Sequence, residues 1–175
     1  MAAAIMRRDA RAVSDGSFKD SHGTAAFCLH GDNPTKAIHG CHQTHGTKEV
    51  QCPYRSELSG VCGILTMLEG ICKTFNLEEG AITIGLDGES VIKTLERPWI
   101  PKPTEPHYDL VVECKRRREA LPIKVNYRWV EGHQDDAKGA RLDWWALQNI
   151  RMDFGAKLHW AKTHRNPPIE HKLPH

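Results

Sequence analysis

Leu58, Val61, Leu65, Leu68, Cys72 and Phe75 recur at alternating steps of three and four residues, so a helix beginning after Pro53 carries one long apolar stripe. A stripe of that length has to be covered, and Gly60 and Gly63 beside it leave room for a sheet to come close. Glu57 stands in the first turn, one residue off the stripe, at the rim of the buried face. Before this helix the pattern is strand-like. Residues 12–18 and 24–30 flank a Lys-Asp-Ser-His-Gly turn, and Gly31-Asp32-Asn33-Pro34 leads into a more polar run, 36–44, expected towards a sheet edge. Short turns between three strands predict an antiparallel meander. After the helix, strand 80–86, helix 90–96, helix 108–120, strand 123–130 and a last helix 141–162 follow. The order predicts an α/β sheet with helices on its faces.

At 175 residues the chain suits one domain, expected over 12–162, with an N-terminal extension (1–11) and a loose Pro- and His-rich tail (163–175). With 24 basic and 22 acidic side chains the net charge is only +2, so a nucleic-acid surface has to come from local clustering. The six cysteines form no Cys-x-x-Cys pair and fall among apolar residues, which predicts buried reduced thiols in an intracellular protein, nuclear or cytoplasmic. No apolar run is expected to reach membrane-spanning length, and the opening Met-Ala-Ala-Ala-Ile-Met-Arg-Arg has too short an apolar part for a secretory signal. No membrane partner is expected.

Chemistry enters with Asp15. Strand interiors rarely keep an aspartate, and an ionised one held there needs a hydrogen bond, an ion pair or a metal. Asp15-Gly16 is also a common hairpin turn, and taken alone the two readings are even. Three more acids stand at strand ends or on helices facing the sheet: Glu57, Asp87 where strand 80–86 ends, and Asp153 on the last helix. Ligands collect at the carboxyl ends of strands in open α/β sheets, which suits Asp87. Converging carboxylates without Cys or His suit Mg²⁺ or Mn²⁺ rather than zinc, and two such ions roughly 4 Å apart can clamp a phosphodiester.

Five segments carry a resemblance: Ser14-Asp15-Gly16-Ser17, Tyr54-Arg55-Ser56-Glu57-Leu58, Leu86-Asp87-Gly88-Glu89-Ser90-Val91-Ile92, Trp129-Val130-Glu131-Gly132-His133 and Asn149-Ile150-Arg151-Met152-Asp153-Phe154-Gly155-Ala156. In this order they resemble the ribonuclease H family, in its retroelement and reverse-transcriptase-associated branch. The resemblance runs from about Ala12 to Lys162. It implies a ribonuclease H-like fold with a five-stranded mixed sheet, two Mg²⁺ ions (Mn²⁺ substituting) and hydrolysis of the RNA strand of RNA·DNA hybrids. By position, it implies that Asp15, Glu57, Asp87 and Asp153 hold the metals, with Asp15 shared, and that His133 assists proton transfer or product release. Gly16 and Ser17 are then placed to meet a ribose 2′-hydroxyl. A reverse transcriptase or larger polyprotein is the implied partner. The rival reading is an inactive nucleic-acid-binding domain retained from a retroelement. Exonucleases of the same superfamily tend to carry Asp-x-Glu on the first strand, where this chain has Asp15-Gly16-Ser17.

The segment after His133 is longer than the family pattern, and Asp143 competes with Asp153. Ten residues separate the two, about 15 Å along one helix, so they cannot serve one site. Asn149-x-x-x-Asp153-x-x-Ala156 favours Asp153, while Asp143 suits the positive end of the helix dipole. Asp135-Asp136 is expected in a loop. His39, His42 and His45, with Cys28 and Cys41, are a weak zinc pattern, since a period of three on a strand throws side chains to alternate faces. Lys115-Arg116-Arg117-Arg118 is a solvated helix face or, as the sharper alternative, a phosphate contact. Trp144, Trp145 and Trp160 are expected to pack, and Trp99 lies in a proline-stiffened loop.

Overall fold

The computed structural model describes residues 1–98, 101–134 and 141–164. Strands β1 (Ala10–Lys19), β2 (His22–His30) and β3 (Ile38–Gln43) form the antiparallel meander, and β4 (Ala81–Leu86) and β5 (Lys124–Trp129) complete one five-stranded sheet in the order β3-β2-β1-β4-β5. β4 pairs parallel to both β1 and β5, so the sheet is mixed. β3 is an edge strand, as its polar pattern predicts. The β1–β2 turn falls at Asp20 and Ser21, both with positive φ (52° and 57°), which matches the twist of a tight hairpin. Asp15 therefore belongs to the strand interior, opposite Ala26, and its hairpin-turn reading is excluded.

Alternation along β1 and β2 sorts the core into two layers. Ala12, Phe27 and Leu29 face helix α2 (Pro53–Phe75), whose Leu58, Val61, Leu65 and Leu68 are fully buried. Val13, Ala26 and Cys28 face helix α5 (Trp144–Thr163) through Met152 and Ala156, with Trp144 and Trp145 packed alongside. The α2 glycines do what their spacing suggests: a Cβ on Gly60 would lie 2.9 Å from that of Ser14, and one on Gly63 would lie 2.6 Å from the Phe27 ring. Helices α3 (Glu89–Glu96) and α4 (Tyr108–Ala120) make the crossover from β4 to β5.

Several expectations are corrected. Phe75 closes the apolar stripe in sequence but is 58% exposed, as the last helical residue before the C-cap at Asn76. By length and composition α2 is apolar enough to cross a bilayer, contrary to the sequence reading, yet its stripe is spent on the sheet. Within the N-terminal extension, residues 2–6 form helix α1 (Ala2–Met6), with Ala4 and Ile5 wholly buried in the α2-side core. Cys28, Cys62, Cys72 and Cys114 are buried as expected, whereas Cys41 is exposed and Cys52 half-buried. All six are free thiols. The basic run on α4 is occupied inside the fold. Arg117 is buried against Glu69 and Glu113, Arg116 pairs with Glu113, and Lys115 and Arg118 donate to carbonyls at the end of α3. Only Arg117 is buried; the Arg116 side chain stays 58% exposed on the outer side of the helix. Trp99, Asp135 and Asp136 and the tail beyond His164 lie outside the described residues.

Candidate active site

Asp15 reaches its place because β1 is the strand shared by both halves of the sheet, with β2 on one side and β4 on the other. It points to the α5 face, and its residue is 7% exposed. Gly16, next along, points to the α2 face, where a Cβ would lie 2.7 Å from the Glu57 nitrogen and 2.7 Å from the Ser56 carbonyl carbon. The space that glycine leaves is taken by the backbone of α2, which brings Glu57 up to the strand carrying Asp15. Ser17 is half-buried beyond it.

The first turns of α2 are held by a residue whose role sequence reasoning missed. Arg55 is 1% exposed, forks onto both carboxylate oxygens of Asp109 in α4 (2.8 and 2.5 Å) and donates Nε to the His45 carbonyl (2.5 Å). The buried guanidinium holds the Asp109 carboxyl below the usual carboxylate range. Arg55 sits two residues from Glu57, so this clamp sets the start of the helix that carries the acid. Its sequence signal is an arginine three residues before Leu58, in phase with the apolar stripe.

Asp87 follows the last residue of β4, next to the start of α3. Its carbonyl accepts from the Trp129 indole (3.0 Å), tying the ends of β4 and β5 together. Gly88 makes room for Glu57, since a Cβ there would lie 1.7 Å from Glu57 Oε2. Gly132 does the same for Asp87: a Cβ would lie 2.8 Å from its Oδ2. The next residue, His133, has φ +53°, a left-handed conformation that turns the segment back over the site. Asp15, Asp87, His133, Asn149, Ile150 and Asp153 line one small cleft. A roomier cavity of about 420 Å³, lined by Leu95, Arg97 and Lys115 among others, lies between α3 and α4 and holds none of these acids.

The two candidate aspartates of α5 separate as their spacing requires. Asp143 is the N-cap and accepts from the Ala146 amide at 2.9 Å. Asp153 faces the cleft, and Ala156, fully buried three residues on, accepts from the Thr24 hydroxyl at 2.7 Å. Lys157 pairs with Asp153 at 2.6 Å, an i,i+4 contact legible in the spacing but not read from it.

Crowding of like charges sets the electrostatics. Burial, then the Asp87, Asp153 and Glu57 charges, push Asp15 up to about 8, against a short bond from the Gly16 amide to Oδ1 (2.6 Å). Burial and Asp87 push Glu57 up to about 7. Burial raises Asp87 as well, while His133 acts in the opposite direction. Asp15, Glu57 and Asp87 thus resist ionising together, and a divalent cation would relieve that repulsion. Their hard, all-oxygen donor set fits Mg²⁺ or Mn²⁺. Among the described residues, however, no three acid, His or Cys side chains are gathered closely enough to close around one ion. The zinc pattern also stays apart. The His39 ring neighbours His30, whereas His42 neighbours Phe27 and His45.

No protein-family model matches the chain, and no curated protein does either. Solved structures do. The N-terminal RNase H domain of a Mycobacterium tuberculosis protein, solved fused to maltose-binding protein, is 14% identical, with 90% of this chain and 99% of that one covered and a TM-score of 0.55. RNase H1 of the halophilic archaeon Halobacterium salinarum is 13% identical over 88% of this chain and 98% of its own, again with a TM-score of 0.55. Element order, mixed-sheet topology and these likenesses agree: the chain has the ribonuclease H-like fold.

Proposed function

We propose that the protein is a metal-dependent endoribonuclease that hydrolyses the RNA strand of RNA·DNA hybrids. The observation that carries the reading is the convergence of Asp15, Glu57, Asp87 and Asp153, drawn from β1, α2, the end of β4 and α5, beside His133. Burial and mutual repulsion make the Asp15, Glu57 and Asp87 charges costly to a fold that binds nothing there. Asp15, Glu57, Asp87 and Asp153 would hold two Mg²⁺ ions, which supply charge neutralisation and an activated water for phosphodiester cleavage. Asp15, central among the four, would be shared. His133, on its left-handed turn at the cleft, is placed to carry a proton to or from the reacting strand. Ser17 and the backbone around Gly16 would meet the ribose 2′-hydroxyl that distinguishes RNA from DNA. A reverse transcriptase partner and an intracellular location rest on the sequence reading alone.

One observation favours a second reading. Lys157 lies on Asp153, and a cation fixed there would leave the fourth acid in a domain that binds hybrids without cutting them. Cleavage of a labelled RNA·DNA hybrid in Mg²⁺ separates the two. We expect Asp15→Asn and Asp153→Asn to lose cleavage and Asp143→Asn to keep it. A wild type that binds hybrid but never cuts it, with Mn²⁺ also tried, would establish the binding domain instead.

A further inference from the structure

Asn149 lies one helical turn before Asp153, so the two side chains share a face of α5. It is 2% exposed, and it lines the cleft with Asp15, Asp87, His133 and Asp153. Its buried Nδ2 has no hydrogen-bond acceptor among the described residues. Folds seldom leave a buried amide in that condition, because its N–H donors have given up water without a replacement. Beside so many carboxyl groups the nitrogen end of the amide, not the oxygen, is the one electrostatics turns toward the cleft.

We propose that Asn149 is a substrate-contacting residue whose Nδ2 donates a hydrogen bond to a non-bridging phosphate oxygen of the strand bound in the cleft, an inference that rests on the nuclease reading above. A phosphodiester presents only acceptors there, and it meets a wall of carboxylates that repels it. A lysine or arginine at this position would be captured by those carboxylates, as Lys157 is by Asp153. An uncharged amide forms no ion pair, stays available, and is aimed by the rigid helix that carries it.

The test compares wild type, Asn149→Ala and Asn149→Asp in single-turnover hybrid cleavage with Mg²⁺, and in thermal melts with chelator and across a Mg²⁺ titration. We expect cleavage to slow at least ten-fold in Asn149→Ala, and further in Asn149→Asp, which keeps the shape but replaces donor by anion. The melting temperature of Asn149→Ala in chelator should stay level or rise, since no protein bond is broken, and its Mg²⁺-dependent gain should match wild type. Wild-type cleavage by Asn149→Ala overturns the inference, as does a rate loss that merely follows lost stability. A wild type that cuts no hybrid defeats the nuclease reading itself. Metal-free hybrid binding by fluorescence anisotropy then decides for Asn149 alone: several-fold weaker binding in Asn149→Ala supports the contact, and equal binding refutes it.

Discussion

Replacing Asp15 by Asn should make the metal-free protein more stable, although it removes the acid at the centre of the site. In the folded protein the Asp15 carboxyl is pushed up to about 8, by burial first and then by Asp87, Asp153 and Glu57. In the unfolded chain it ionises near its ordinary value of 3.8. Between those two pH values the unfolded state has released the proton and the folded state has not, so stability falls as pH rises through the window. At about 1.36 kcal/mol per unit, the full penalty at pH 7 is on the order of 4 kcal/mol. The asparagine amide keeps the shape, carries no charge and still has to be buried, at about 1–2 kcal/mol. The net gain is then about 2 kcal/mol, or roughly 4–8 °C in melting temperature for a chain of this size. Thermal melts in chelator at pH 4, 5.5, 7 and 8 measure it. Near pH 4, where the wild-type carboxyl is largely protonated, Asp15→Asn should be less stable by about 1 kcal/mol; the order should reverse as pH rises, and added Mg²⁺ should stabilise wild type more than the variant. Parallel pH profiles, or a variant less stable at pH 8, would refute the account of a repelling acid cluster.

Other perturbations test the supports of the site. Asp109→Ala leaves the buried Arg55 guanidinium with only the His45 carbonyl, and we expect a loss of about 1–3 kcal/mol in urea unfolding, reduced from the fully buried case because Asp109 is half exposed. Gly16→Ala drives a methyl group into the Ser56–Glu57 peptide of α2, where nothing flexible can yield, so circular dichroism should report severe destabilisation. Gly88→Ala meets only the flexible end of Glu57; it should fold with near-normal stability yet lose most hybrid cleavage, because Glu57 is displaced. Asp143→Ala removes the α5 cap and should cost about 1 kcal/mol without reducing cleavage.

Much of this protein follows from local rules the chain states openly. The three-four stripe from Leu58 to Cys72 can be satisfied only by a helix lying on something apolar, and the order of strands before and after it admits few architectures. The interior Asp15 with Gly16 marked a strand under constraint. Helical rise shows that Asp143 and Asp153 cannot both reach one place, and the Asn149-x-x-x-Asp153-x-x-Ala156 resemblance is what favours Asp153. Tertiary structure decided what spacing along the chain cannot express. Phe75 fits the stripe but stays exposed, α1 packs because Ala4 and Ile5 find the α2-side core, and Arg117 of the basic run is buried against Glu69, 48 positions away. The acids meet because β4 inserts beside β1, a long-range pairing that places Asp87 near Asp15 although 72 positions separate them. Whether a carboxylate repels, pairs or binds is settled by what the fold brings within a few ångströms of it, and no local pattern carries that distance.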